Sequence, residues 1–153
     1  MSFSYLVPYT RLVPLLSQID KRLHPGFVER LRVEIHAELT RSMQKPGTFK
    51  APSGTLSSSI TSWVSGRGIV LHSPLDYARF VEEGTRPHRG KIGQTVKIPG
   101  IGYRKVTWKS MMEGKWQYPG AAGKRLFANA VDAVLLRGGT VVREYDAMSR
   151  RLR

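Results

Sequence analysis

From Phe27 to Gln44 the residues Phe27, Val28, Leu31, Ile35, Leu39 and Met43 recur at steps of three and four. That spacing lines side chains along one face of an α-helix. The stretch therefore reads as a long amphipathic helix, and the rest of the fold has to cover its apolar stripe. Pro25 and Gly26 punctuate the chain just before it. The opposite face carries Glu29, Arg32, Glu34, His36, Glu38 and Arg41, a local concentration of acid that predicts a basic neighbour.

Other segments fall around this helix. Leu12, Leu15, Leu16, Ile19 and Leu23 share a helical face, and Pro14 fits only a first turn, which predicts a short helix from about Val13. Residues 46–58 are rich in Pro, Gly, Ser and Thr and read as a long loop. Ile60, Trp63 and Val64 before Gly66-Arg67-Gly68, and Ile69, Val70 and Leu71 after it, predict a hairpin. A short helix through Tyr77, Ala78, Phe80 and Val81 follows, capped by Ser73 or Asp76 and closed by Gly84. Arg86, His88, Arg89 and Lys91 then lie in a Pro- and Gly-containing loop that should project. Thr95–Ile98 and Tyr103–Trp108 predict a second hairpin with Lys97, Arg104 and Lys109 facing solvent. Helical spacing returns over Lys124–Leu136, is ended by Gly138-Gly139, and resumes behind a Thr140 cap with Val141, Tyr145, Met148 and Leu152 on one face.

The expected fold is therefore α+β: a small, mostly antiparallel sheet of two hairpins packed on the long helix, with further helices at the C-terminus. At 153 residues the chain reads as a single domain, 1–153. Its parts are N-terminal helices 11–45, loop 46–58, hairpin, short helix and basic loop 59–94, hairpin and insert 95–119, and C-terminal helices 124–153. No run approaches the roughly 20 apolar residues of a membrane helix, and no signal peptide is expected. Zero cysteines exclude disulfides and thiolate metal sites and fit a reducing compartment. The formal charge of +14 sets up attraction to polyanions and to acidic protein surfaces.

Little in the sequence points to catalysis. His24, His36, His72 and His88 are too scattered for a paired metal site. Ser57, Ser58 and Ser59 lack the glycine elbow of a nucleophilic serine. Gly120–Lys124 lacks both the length and the hydroxyl residue of a phosphate loop. Glu82 and Glu83 are adjacent, too divergent on a helix to address one atom, and one of them is expected to pair with Arg79 or Arg86. No cofactor, metal or small-molecule substrate is expected. A small metal-independent ribonuclease using His88 and nearby arginines stays open, as does a free basic nucleic-acid-binding protein.

Tyr77-Ala78-Arg79-Phe80-Val81-Glu82-Glu83-Gly84-Thr85, followed by Arg86-Pro87-His88, resembles the central signature of the neck and tail-component proteins of long-tailed bacteriophages. The helix from Phe27, the Ala51–Leu56 stretch before Ser59-Ile60, and Pro119-Gly120 before Arg125–Ala130 follow in the order of that family. Ser53-Gly54-Thr55-Leu56 departs from its usual Thr-Gly before Leu, and Lys91–Lys115 is longer than usual. The resemblance implies a virion protein of the head-to-tail junction, assembled in the bacterial cytoplasm. It further implies a homo-oligomeric ring, six-fold, joining connector and tail tube. Tyr77, Ala78, Glu82, Gly84 and Thr85 would then maintain the fold, with Tyr77, Phe80 and Val81 buried.

Arg86, His88, Arg89, Lys91, Trp116, Arg150, Arg151 and Arg153 are the candidate contacts to neighbouring phage proteins or genomic DNA. Trp108, Met111, Met112, Trp116 and Tyr118 form an apolar cluster that reads either as satellite core or as a docking surface.

Overall fold

A computed structural model describes residues 2–46, 54–86, 88–89, 91–98, 102–113, 117–118 and 121–151. In chain order the elements are β1 (Phe3–Pro8), α1 (Tyr9–Leu16), a 3-10 turn (Lys21–Leu23), α2 (His24–Gln44), α3 (Thr55–Ser59), β2 (Thr61–Ser65), β3 (Gly68–Ser73) and α4 (Ala78–Glu83). There follow β4 (Gly84–Thr85), β5 (His88–Arg89), β6 (Thr95–Ile98), β7 (Gly102–Lys105), α5 (Trp108–Met112), β8 (Gln117–Tyr118), β9 (Ala121–Ala122), α6 (Leu126–Leu136) and α7 (Gly138–Arg151). The class is α+β, as the sequence predicts. The chain divides into two compact units: Met1–Glu82 with Arg125–Arg153, and Glu83–Lys124.

The first unit holds the core. All six stripe residues of α2 are buried, and a side chain withdrawn in this way contributes about 1.5–3 kcal/mol. They share one cluster with Ile69 and Leu71 of β3 and with Phe127, Ala130, Val131 and Val134 of α6. The sheet has the order β1-β3-β2, antiparallel throughout. Its third strand, β1, is an element the sequence reading passes over. Phe3, Tyr5 and Val7 alternate with Ser4 and Leu6, so one face of β1 joins the core, with Phe3 edge-on to Phe127 at 5.1 Å. The hairpin of residues 61–73 forms as expected around Gly66-Arg67. The hairpin of residues 95–105 does not join this sheet; it is a separate two-stranded ribbon.

Several boundaries differ from expectation for local reasons. Pro14 lies inside α1, not in a first turn, because the helix starts at Tyr9 directly from the extended Pro8. The periodic run to Leu23 breaks after Leu16, where the Asp20 side chain accepts the Arg22 amide at 2.8 Å and starts a 3-10 turn. Pro25 and Gly26 sit within the first turn of α2, where proline's missing N–H costs nothing.

The end of the expected loop 46–58 is the helix α3, with Leu56 buried; residues 47–53 lie outside the described residues. Gly138 opens α7 instead of separating two helices. A Cβ there would lie 2.4 Å from Leu15 Cδ2, so this glycine permits α1 to pack closely. On α7, Val141 and Val142 are buried and Met148 is exposed, which corrects the predicted stripe; Leu152 lies outside the described residues.

The acidic face of α2 meets basic partners within the chain. Glu29 pairs with Arg32, Glu34 with Arg30 at 2.8 Å, and Glu38 with Arg41 at 2.6 Å and Arg137 at 2.9 Å. Arg32 also donates to Ser62 Oγ at 2.8 Å, and the same hydroxyl lies 3.0 Å from His36 Nδ1. Burial, and secondly the Arg32 charge, hold the His36 pKa below its ordinary value.

Candidate contact surface

The signature segment is built around a buried carboxylate. Gly84, at φ +83°, ends α4 as a left-handed cap, and Ser73 Oγ accepts the Leu75 amide at 3.3 Å on the approach to it. Glu82 is 6% exposed. Its Oε2 accepts the Phe127 N–H at 2.9 Å and its Oε1 the Ala128 N–H at 3.0 Å. These are the second and third residues of α6, whose own N-cap, Arg125, lies at φ +49° and supplies no side-chain cap. Glu82 thus satisfies helix-end donors that a local Ser, Thr, Asp or Asn ordinarily satisfies, and it sets negative charge at the positive end of the helix dipole. Its backbone C=O also accepts the Arg125 N–H at 3.2 Å.

The chain leaves the first unit after Glu82 and re-enters it at Arg125, so one residue fastens exit and return. Of the two adjacent acids, Glu82 is thus taken up by the α6 amides and not by Arg79 or Arg86. Tyr77 and Phe80 are exposed, Phe80 by 57%, which corrects their expected burial. With Ala78 and Glu82 turned inward one helical turn apart, Phe80 lies about 200° round the helix from Ala78 and faces out.

The second unit, Glu83–Lys124, is made of short ribbons. Gly84 and Thr85 pair with Ala122 and Ala121, and His88 and Arg89 with Tyr118 and Gln117. Thr95–Ile98 pairs with Gly102–Lys105 in the register Thr95↔Lys105, Lys97↔Tyr103. β7 stops at Lys105 where a strand to Trp108 is predicted. Thr107 Oγ1 there accepts the Ser110 N–H and Ser110 Oγ the Thr107 N–H, a capping box that starts α5 and puts Trp108 and Lys109 on a helix. Val106, 1% exposed, is the anchor between them. Its N–H donates to Gln94 O at 2.8 Å and its C=O accepts the Gly93 N–H at 2.9 Å.

The candidate contacts are dispersed. Arg86 and Lys91 are exposed in this second unit, while His88 and Arg89 are placed by their backbone in β5. Arg150 and Arg151 close α7 in the first unit, Arg150 bonded to Asp146 at 2.7 Å. Trp116 and Arg153 lie outside the described residues. Of the apolar cluster, Trp108 and Met112 are exposed and Met111 is half-buried. The sequence reading missed the capping role of Glu82, for which the distant helix start at Arg125 without a Ser, Thr, Asp or Asn was the available signal.

Among the described residues no group of His, Cys, Asp and Glu is arranged to hold a metal, and no helix is long and apolar enough to cross a membrane. A cavity of about 140 Å³ lies between Glu34, Val134, Arg137, Thr140, Val141 and Glu144, below the roughly 300 Å³ at which small-molecule sites begin. Compared with known protein families, curated proteins and solved structures, the chain matches none.

Proposed function

We propose that the chain is a structural protein of the bacteriophage head-to-tail junction, assembling as a six-fold ring that joins connector and tail tube within the virion. Two supports carry unequal weight. The signature from Tyr77 to Thr85 resembles that of phage neck and tail-completion proteins. The weightier support is the build of Glu83–Lys124, in which Val106 is the one large apolar side chain fully withdrawn from solvent among the described residues. Two-stranded ribbons of this size are marginal by themselves in water. A segment so built is suited to gaining its order from neighbouring macromolecules, and repetition round a ring multiplies weak contacts. On this reading the chain binds and assembles and has no turnover chemistry.

Mass spectrometry of purified tailed particles tests the reading. The expected result is this polypeptide at a copy number that is a multiple of six per particle. Mature particles that lack it altogether would sink the proposal.

A further inference from the structure

The two kinds of cation are distributed unequally along the chain. Six of the nine lysines lie within Glu83–Lys124, which holds nine Lys and Arg against only Glu83 and Glu113 as acids. In the rest of the chain arginine dominates, and Arg11, Arg30, Arg32, Arg41, Arg137 and Arg150 each meet a carboxylate. Lysine is depleted in protein–protein interfaces, whereas its compact ammonium serves as a point charge for phosphate. A segment with many lysines and few acids can follow a polyphosphate backbone as a row of point charges.

The placement of aromatic rings narrows the partner. Tyr103 is 67% exposed and Trp108 66% exposed. Tyr103 and Lys105 are two apart on β7 and share a face of the ribbon. Trp108 and Lys109 open α5, fixed there by the Thr107–Ser110 capping box. The buried Val106 stands between the two ring-and-cation pairs. Its hydrogen bonds to Gln94 and Gly93 draw in the turn that presents exposed Lys91. Exposed rings and cations on one short segment are the parts of a single-strand platform, on which bases stack while the backbone follows the charge. On a duplex, with its bases already stacked, the two rings would have nothing to do.

We propose that this turn, ribbon and helix form a binding surface for single-stranded nucleic acid, without sequence preference, with Lys91, Lys105 and Lys109 on phosphates and Tyr103 and Trp108 on bases. The inference concerns the segment on which the joining role also rests but does not require that role; particle copy number and nucleic-acid affinity can fail separately.

The test is fluorescence anisotropy of a labelled oligodeoxythymidine titrated with the full chain across a range of salt. A duplex of equal length and polyglutamate serve as competitors. Affinity is expected to fall log-linearly with salt, by a slope of about 0.7 per phosphate engaged. Tyr103→Ala and Trp108→Ala should each weaken binding about tenfold without altering the slope. The Phe replacements should restore it. Lys105→Gln with Lys109→Gln should flatten the slope by about 1.4. Because these positions are exposed, thermal unfolding should be unchanged in every variant. No binding at low salt would overturn the proposal. So would a duplex bound as tightly with the rings indifferent, or displacement by polyglutamate at equal charge, which would assign the surface to an acidic protein.

Discussion

Replacing Glu82 separates the two roles that a signature carboxylate can have, contact with a partner or maintenance of the fold. Its oxygens satisfy the Phe127 and Ala128 amides inside the protein, and an unpaired buried donor costs about 1–3 kcal/mol. Glu82→Ala should therefore destabilise the chain by about 2–4 kcal/mol in urea unfolding, and Glu82→Gln, which keeps one acceptor, by about half of that. An unchanged midpoint in the alanine variant would return Glu82 to the surface. His36 gives a second residue-scale expectation. Its pKa is lowered by burial and then by Arg32, so the unfolded chain takes up the proton at higher pH than the folded one does. The stability due to neutral His36 is present above the ordinary histidine value of 6.5 and is lost as pH falls through it, levelling off below the folded value. His36→Gln should flatten the stability profile between about pH 7 and 5. A full slope in that variant would assign the acid sensitivity elsewhere.

Among the elements, the strongly periodic ones were legible and those decided by close approach were not. The stripe of α2 and the hairpin of residues 61–73 follow from spacing and a two-residue turn, information that is local in sequence. β1 alternates clearly from Phe3 to Val7, yet it is a strand only because β3 lies beside it, and Gly68 shows how near. A Cβ on Gly68, at φ +142°, would stand 2.0 Å from the Val7 carbonyl oxygen. Gly26 looked like punctuation for a related reason. Its bare backbone admits the Tyr145 hydroxyl of α7, which would lie 2.2 Å from a Cβ, while Tyr145 meets Phe27 edge-on at 5.5 Å. In an open helix Gly→Ala stabilises by up to about 1 kcal/mol. Here Gly26→Ala should instead destabilise by about 1–2 kcal/mol, because α7 must shift. Adding Tyr145→Phe removes the obstructing oxygen and should recover most of the loss in thermal unfolding. A stabilised single variant would mean that α7 yields at no cost.

For the whole molecule, the proposed reading separates what folds from what makes contact, and only half of that is readable in the sequence. The basic excess is visible as +14, but its concentration in Glu83–Lys124 acquires meaning only beside the six arginines of the rest of the chain that meet carboxylates. Likewise the sequence places Trp108 in a cluster, while its exposed position on α5 follows from a capping box that starts a helix where a strand is predicted. The separation makes a demanding prediction. Every member of the buried core cluster lies outside Glu83–Lys124, and the Glu82 carbonyl already accepts the Arg125 amide at 3.2 Å. A chain with Glu83–Lys124 replaced by a turn of about three residues rich in Gly and Asn therefore has its ends in place, and the shorter closure costs no more entropy than the native one. It should unfold cooperatively, with a midpoint within about 5 °C of the full chain, a shift corresponding to about 1–2 kcal/mol at this size. It should also lose both oligonucleotide affinity and incorporation into particles. Loss of the cooperative transition would mean that the body depends on the segment for its stability, and that folding and contact are not separable in this chain.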